Sequence, residues 1–140
     1  MHSVVISLAS NIKQEEHLRN ARQALREVLL CPVYTDEIWT DPVGMPSGRK
    51  YLNQLVEAST TLDAPTLTSR LKEMEIALGR NSKARTQGIV PIDLDLLEHD
   101  GCRFHQRDWQ RDYVRRLLPM LGKEPDDAED QLQSPVAQNP

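Results

Sequence analysis

Hydrophobic residues follow two different spacings along this chain of 140 residues. Residues 3–9 (SVVISLA) are apolar and β-branched, which predicts a buried strand. In residues 15–30 the apolar positions recur every three or four residues between Glu, Arg and Gln, which predicts an amphipathic helix. A second helix is predicted between the capping residue Asp63 and Gly79. Three further stretches have the apolar, extended character of strands: residues 33–39, 51–61 and 92–97.

The order of these elements is βαββαβ, which predicts an α+β fold. With right-handed crossovers, it forms a ferredoxin-like sandwich in which two helices cover one face of an antiparallel sheet. Residues 40–48 contain two prolines and two glycines and are predicted to be a long irregular loop, as are the polar residues 81–91. The apolar spacing of residues 106–121 predicts a C-terminal helix that ends near Pro119.

Composition limits the classes of protein that fit this chain. Hydrophobic residues make up 39% and charged residues 27%, which is typical of a soluble globular protein of one domain. No apolar run approaches the roughly 20 residues of a membrane span, and no secretory signal is recognisable, so we expect a cytoplasmic protein that does not bind membranes. Neither cysteine belongs to a Cys-x-x-Cys pair, which indicates reduced thiols.

Charge separates a working domain, predicted for residues 1–122, from a C-terminal tail. Residues 123–140 hold five acidic residues, one basic residue and three prolines, and we expect this acidic tail to be disordered. The rest of the chain carries sixteen acidic and sixteen basic residues, so its net charge is neutral. A neutral body argues against nucleic-acid binding, because that depends on clustered Lys and Arg.

The most informative motif is the acidic pair in the last predicted strand, Ile-Asp-Leu-Asp-Leu-Leu. Side chains alternate along a strand, so Asp93 and Asp95 share one face of the sheet. Ile92, Leu94 and Leu96 share the other face, where the leucines can meet the helices. Two unpaired carboxylates repel each other, and a divalent cation with a preference for oxygen ligands, such as Mg²⁺, removes that repulsion. The alternative is that either aspartate pairs with a nearby arginine or is simply solvated.

Two basic clusters accompany this pair. Arg80 ends the second helix just before a loop with Lys83 and Arg85, and such cations suit a triphosphate, although a solvated loop explains them almost as well. A second cluster follows the last strand and reads either as a phosphate-binding group or as an exposed helix face. It consists of Arg103, His105, Arg107 and Arg111.

Tyr51 and Asn53 alternate onto one face of the same strand. An amide beside an aromatic ring can bind the edge of a pterin or purine, and the alternative is a half-buried strand with a polar edge. A sheet of this topology that binds RNA would need exposed aromatic residues and a basic surface. The neutral body and the single phenylalanine count against that reading.

Residues 4–119 resemble a known family, hydroxymethyl-dihydropterin pyrophosphokinase, in five segments with matching spacing from Thr40 to Asp95. The segments are SLASN at 7–11, TDPVG at 40–44, YLN at 51–53, the stretch 75–80 and PIDLDL at 91–96. The resemblance implies a Mg²⁺-dependent ATP diphosphotransferase of folate biosynthesis. Such an enzyme transfers pyrophosphate from ATP to 6-hydroxymethyl-7,8-dihydropterin and yields AMP and the pterin diphosphate.

The resemblance also implies a role for individual residues in a monomer whose partners are small molecules. Two Mg²⁺ ions would lie on Asp93 and Asp95, and residues 41–50 and 81–90 would be loops that close over the substrates. The catalytic residues would be Arg80, Asp95 and Arg85. The nucleotide contacts would be Glu75, Arg80, Arg103, His105 and Arg111. The pterin contacts would be Thr40, Val43, Tyr51, Asn53 and Tyr113.

One segment departs from the family pattern. Family members usually carry Trp-Gly-Pro-Arg ahead of the acidic pair, and here the positions read Gln87-Gly88-Ile89-Val90. The aromatic residue and the arginine are therefore absent, and Arg85 is the candidate substitute. The alternative reading is a family member with impaired catalysis that binds nucleotide or pterin without turnover.

Overall fold

The computed structural model describes residues 1–42 and 48–125, in which the chain forms six strands and four α-helices. The strands are β1 (His2–Ser10), β2 (Leu30–Tyr34), β3 (Ile38–Thr40), β4 (Tyr51–Thr60), β5 (Asp93–His99) and β6 (Cys102–Arg103). The helices are α1 (Gln14–Leu25), α2 (Ala64–Ala77), α3 (Ser82–Thr86) and α4 (Asp112–Leu117). Two short 3₁₀ helices, Asp108–Gln110 and Leu118–Leu121, flank α4.

All strand pairs are antiparallel, and the sheet has the order β2-β4-β1-β5-β6, with β3 also pairing with β4. This is the ferredoxin-like arrangement that the order of the elements predicts, so the α+β fold is confirmed. The two central strands, β1 and β4, pair over nine residues. No helix of the described residues is long and apolar enough to cross a membrane.

The larger core lies between the sheet and the helices α1 and α2. The strands β1, β4 and β5 contribute alternate residues to it, as the period of two requires. Leu18 and Leu25 of α1 and Leu67 and Leu71 of α2 are fully buried against this face. The strand residues in the same core are Val4, Ile6, Leu8, Leu52, Val56, Ala58, Leu94 and Leu96.

The second face of the sheet, which the sequence left uncovered, is covered over one half by the C-terminal segment. Trp109 is fully buried there and donates a hydrogen bond from Nε1 to the Phe104 carbonyl at 2.9 Å. Arg103 stacks on the Trp109 ring with its guanidinium carbon 3.8 Å from the centroid. The strand residues beneath are Val5, Leu55 and Leu97, and the covering residues include Val114, Leu117 and Leu118. Among residues 1–42 and 48–125, the other part of this face, which carries the acidic pair, is left as a cleft.

Two predicted elements end at different places. The helix expected over residues 15–30 stops at Leu25, and the chain turns before β2. Val28 and Leu29 are buried in that turn, so their apolar character reflects burial and not a helical period. The strand expected over residues 33–39 is divided in two at Thr35, whose hydroxyl accepts a hydrogen bond from the Leu55 N–H at 3.0 Å.

The irregular segment 81–91 contains the short helix α3, because the Asn81 side chain caps it by accepting from the Ala84 N–H at 2.8 Å. The C-terminal helix predicted over residues 106–121 is instead broken into three pieces. Arg111 is extended, with ψ of 143°, and Pro119 lies in the first turn of the last 3₁₀ helix, which begins at Leu118.

Lys123, the first residue beyond the working domain predicted for residues 1–122, contacts the sheet. The Lys123 ammonium lies 3.2 Å from a carboxylate oxygen of Glu57 and 3.2 Å from one of Glu98, both on the sheet. Val43 and the acidic tail from residue 126 lie outside the described residues.

Replacing the buried tryptophan should detach the C-terminal segment from the sheet. Trp109→Ala is expected to lower the free energy of unfolding by about 3–5 kcal/mol, because it leaves a large cavity and an unpaired carbonyl. Urea denaturation followed by circular dichroism measures the change. The matched control is Trp39→Ala, since the Trp39 side chain is half exposed, and we expect a loss within about 0.5 kcal/mol. Equal losses in the two variants would contradict this role of Trp109.

Candidate active site

The floor of the cleft is set by the register of three neighbouring strands. Ala9 of β1 lies opposite Asn53 of β4 on one side and Asp93 of β5 on the other. Two residues back, Ser7 lies opposite Leu55 and Asp95. Directly paired residues share a face of a sheet, and the small side chains of β1 leave room between the polar side chains on either side.

The acidic pair faces this space, as the alternation along the strand predicts. Burial and the negative charge of Asp93, together with a hydrogen bond between the two side chains, raise the pKa of Asp95 to about 7. A carboxyl pair keeps a proton near neutral pH when its surroundings supply too little positive charge to stabilise two ionised carboxylates. Asp93 and Asp95 therefore fit a divalent cation such as Mg²⁺, which would take the place of that proton.

Arg80 supplies part of the missing positive charge by pairing with Asp93. An aspartate that pairs with a nearby arginine is one of the alternatives that the sequence left open. The Arg80 Nη1 donates a hydrogen bond to Asp93 Oδ1 at 2.9 Å and lies 3.3 Å from Glu75 Oε2. Glu75 is buried on α2, and the same Oε2 accepts from the Leu94 N–H at 2.8 Å. Burial raises the pKa of Glu75, while the bond from Leu94 and the positive charge of Arg80 oppose that rise. Glu75 thus connects α2, β5 and Arg80.

Two tyrosines border the acidic pair, and both keep their protons. Burial, with the charge of Asp108 adding to it, raises the pKa of Tyr113 to about 12, and its side chain hydrogen-bonds Ser7 on the floor. Burial also raises the pKa of Tyr51, as does the negative charge of Asp93. Both hydroxyls are therefore neutral hydrogen-bonding groups.

Asn53 is held in one orientation beside Tyr51. Its side chain is buried, and its Nδ2 donates to Thr40 Oγ1 at 2.8 Å and to the Ile38 carbonyl at 3.2 Å. Both partners belong to β3, so this short strand fixes the amide. The carboxamide oxygen of Asn53 is left as an acceptor.

The segment that departs from the family pattern is anchored by Asn11, which directly follows β1. The Asn11 Oδ1 accepts from the Val90 N–H at 2.7 Å, and its Nδ2 donates to the Gly88 carbonyl at 2.9 Å. The Asn11 N–H donates to the Val90 carbonyl at 3.0 Å. Three hydrogen bonds from one residue therefore fix the backbone of this segment along the wall of the cleft.

These elements enclose a cleft of about 950 Å³. Nine of the predicted site residues line it, although they come from five separate parts of the chain. They are Thr40, Tyr51, Asn53, Arg80, Arg85, Asp93, Asp95, Arg111 and Tyr113.

Three predicted nucleotide contacts are absent from the described lining of the cleft. Glu75 lies beneath it as described above, and Arg103 pairs with Glu98 and stacks on Trp109. His105 follows Arg103 in a turn with φ of +55°. The described lining also includes Asn11, Asp41, Arg49, Asp108 and Asp112, which sequence reasoning did not select as site residues. Asn11 and Asp41 had a signal in the SLASN and TDPVG segments, and Arg49 lies in the predicted loop 41–50. Asp108 and Asp112 reach the cleft through the path of the chain.

The fold and the cleft together define an α+β domain with one cleft, in which an acidic pair that fits a divalent cation lies beside arginines and polar and aromatic side chains. The family model for 7,8-dihydro-6-hydroxymethylpterin-pyrophosphokinase (HPPK) matches residues 5–123. The chain therefore belongs to the HPPK family.

Similar proteins come from plants and bacteria. The mitochondrial folate synthesis bifunctional protein of Arabidopsis thaliana is 34% identical over 134 residues, which cover 86% of this chain and 24% of the relative. The corresponding mitochondrial protein of Pisum sativum is 30% identical over 132 residues. The 2-amino-4-hydroxy-6-hydroxymethyldihydropteridine pyrophosphokinase of Porphyromonas gingivalis is 28% identical over 132 residues, covering 84% of this chain and 89% of the relative. The chain thus spans about a quarter of the plant relatives.

Without Mg²⁺ the acidic pair should make the stability of the fold depend on pH. Between pH of about 4 and 7 folded Asp95 keeps a proton that the unfolded chain has lost, because its pKa is raised from 3.8 to about 7. The free energy of unfolding should therefore fall as pH rises, by at most about 1.4 kcal/mol per pH unit from this group. Urea denaturation in EDTA over this range measures the slope.

Asp95→Asn should remove this part of the slope, and added Mg²⁺ should reduce it in the original chain because the cation binds the ionised pair. The control is Asp36→Asn, on the exposed connection between β2 and β3, which should leave the slope unchanged. An unchanged slope in Asp95→Asn would show that Asp95 is ionised in the fold throughout this range.

Proposed function

We propose that this protein transfers the pyrophosphoryl group of ATP to the hydroxymethyl group of 6-hydroxymethyl-7,8-dihydropterin, a step of folate biosynthesis. The observation that carries the proposal is that Asp93 and Asp95 line one cleft together with two unlike sets of side chains. Arginines are one set, and Asn53 with two neutral tyrosines is the other. Membership of the HPPK family and the names of the relatives support the same activity.

The arginines that line the cleft suit the phosphates of ATP. Arg80 is held by Glu75 and Asp93, and Arg111 is held by Asp108, whose Oδ1 accepts from Arg111 Nε at 2.9 Å. Guanidinium groups that are already oriented lose little conformational freedom when they bind phosphate oxygens. In this proposal Glu75 positions Arg80 and does not itself contact the nucleotide.

Asn53 and the two tyrosines suit a flat heterocycle with several hydrogen-bond donors. The Asn53 oxygen is available to accept from a ring N–H or amino group, and Thr40 holds the amide in place. Tyr51 and Tyr113 offer neutral hydroxyls and ring surface. We include Val43 of the preceding loop among the proposed pterin contacts.

The reaction is a substitution at the β-phosphorus. The hydroxymethyl oxygen forms a bond to that phosphorus, the bond to the α,β-bridging oxygen breaks, AMP leaves and the hydroxyl proton passes to solvent. Protein groups contribute by orienting the two substrates and by neutralising charge, which are the main sources of rate in phosphoryl transfer. Mg²⁺, which we propose as two ions held by Asp93 and Asp95, would neutralise the transferred group.

Arg85 is the proposed replacement for the arginine that family members carry at the position of Val90. It lies on α3, lines the cleft and is the only cation of that helix that does so among the described residues. We further propose a monomer that acts in the cytoplasm, although two of the plant relatives are mitochondrial by name.

Removing one carboxylate should remove turnover. With ATP, Mg²⁺ and the pterin alcohol, the protein should release AMP only when the pterin is present, and Asp95→Asn should lower kcat at least about 10²-fold, because charge on the migrating group is no longer neutralised. Asp36→Asn is the matched control and should retain full activity. Full activity in Asp95→Asn would refute the role of the acidic pair.

Arg85 is tested against its neighbour on the same helix. Arg85→Ala should lower kcat by about 10³-fold with little change in KM for ATP, whereas Lys83→Ala, which removes a cation outside the cleft lining, should not. AMP release is the readout for both variants. If the unmodified protein binds ATP or pterin by calorimetry without releasing AMP, the alternative of a binding protein without turnover is correct.

A further inference from the structure

A second group of potential metal ligands lies at the far end of β1 and β5 from the cleft. His2, His99 and Asp100 each offer one ligand atom, and these three atoms lie within 4.8 Å of one another. Within residues 1–42 and 48–125 no other His, Cys, Asp or Glu residues form a group of this kind. At the rise of a β-strand, the six residues from Asp93 to His99 separate it from the acidic pair by roughly 20 Å.

The backbone brings the three residues together and orients the carboxylate. β1 pairs with β5 so that Val4 lies opposite His99, and His2 is two residues further along β1. The chain then turns at Asp100, whose φ is +48°. Asp100 donates its N–H to the Ser3 carbonyl at 2.8 Å, and its Oδ1 accepts from the Ser3 N–H at 2.9 Å. One carboxylate oxygen is thereby engaged with the backbone, and Oδ2 faces His2.

His99 has the hydrogen bond that metal-binding histidines commonly have. Its residue is only 9% exposed, and its Nε2 lies 3.0 Å from the Leu62 carbonyl. A carbonyl oxygen can only accept, so Nε2 carries the proton and the neutral ring has its free lone pair on Nδ1. Such a partner fixes the tautomer and the orientation of the ring before any ion binds.

The charges around the two histidines favour a cation. The His2 Nδ1 lies 2.6 Å from Asp100 Oδ2, and the two imidazole rings are 4.6 Å apart between centroids. Asp63, at the start of α2, is a second carboxylate near them. Its pKa is lowered mainly by the hydrogen bond from Thr66, and further by the charges of His2 and His99. Asp63 and Asp100 thus place two carboxylates beside the two imidazoles at this corner of the sheet.

We propose that His2, His99 and Asp100 form a binding site for a divalent transition metal, with Zn²⁺ as its ion. Two imidazole nitrogens and one carboxylate oxygen are typical zinc ligands, whereas Mg²⁺ prefers oxygen alone. Water completes the tetrahedral set. The ion links the first residue of β1 to the turn between β5 and β6. This site is separate from the proposed catalytic cleft and does not depend on its activity.

Zinc binding to the chain of 140 residues without an affinity tag tests the proposal. Excess Mg²⁺ is present to occupy the cleft, and a chromogenic chelator competes for Zn²⁺. We expect one Zn²⁺ per chain, a rise in Tm on binding, and a tetrahedral visible spectrum when Co²⁺ replaces it. His2→Gln and Asp100→Asn should each weaken the affinity about tenfold or more and abolish the rise in Tm.

Controls separate this site from the cleft and from any single histidine. Asp95→Asn removes a carboxylate of the cleft, and His17→Gln removes an imidazole on α1 whose Nδ1 is bonded to the Ile12 carbonyl. Both variants should bind Zn²⁺ as the unmodified chain does. His99→Gln keeps a donor for the Leu62 carbonyl, so its far-ultraviolet circular dichroism should be unchanged while zinc affinity falls. Loss of binding in Asp95→Asn with retention in His2→Gln, or no binding to the unmodified chain, would overturn the proposal.

Discussion

The register of β1 between β4 and β5 is the constraint on which the cleft depends. It places the small residues Ser7 and Ala9 between an amide on one side and two carboxylates on the other. A shift by one residue would turn Asp93 and Asp95 into the helix core and expose the leucines beside them. The apolar face that α1 and α2 cover therefore fixes the position of the polar side chains on the opposite face.

Burying carboxylates has a cost that the surrounding structure offsets only in part. Glu75 is compensated by the Leu94 N–H and by Arg80, so it connects the helix layer to the edge of the cleft. Asp95 forms no ion pair among the described residues, and burial together with the charge of Asp93 raises its pKa. Incomplete compensation of this kind is common at functional sites, because a ligand supplies the remaining charge. In the proposed enzyme the divalent cations and the arginines of the cleft supply this positive charge.

The C-terminal segment converts a flat sheet face into a cleft. Trp109 anchors this segment over one half of the face. The residues that precede and follow Trp109 in the chain then lie next to the acidic pair. Tyr113 approaches Ser7, and Arg111 is oriented by Asp108. On the opposite wall Asn11 holds the backbone of the segment 88–90, where this chain differs from its family, so the wall is retained although its side chains have changed.

The sequence by itself determined the ferredoxin-like order of elements and the shared face of Asp93 and Asp95. Both follow from local periodicity, which depends only on the geometry of a strand or a helix. Tertiary structure decided where Thr35 divides a strand, where the C-terminal helix breaks and which residues meet in the cleft. Arg49, for example, belongs to a loop with no periodic pattern, and Asp108 to a predicted helix that the structure breaks, so only the path of the chain brings them to the cleft. The approach of His2 to Asp100 likewise depends on the pairing of two strands separated by most of the chain, a long-range contact that no local pattern encodes.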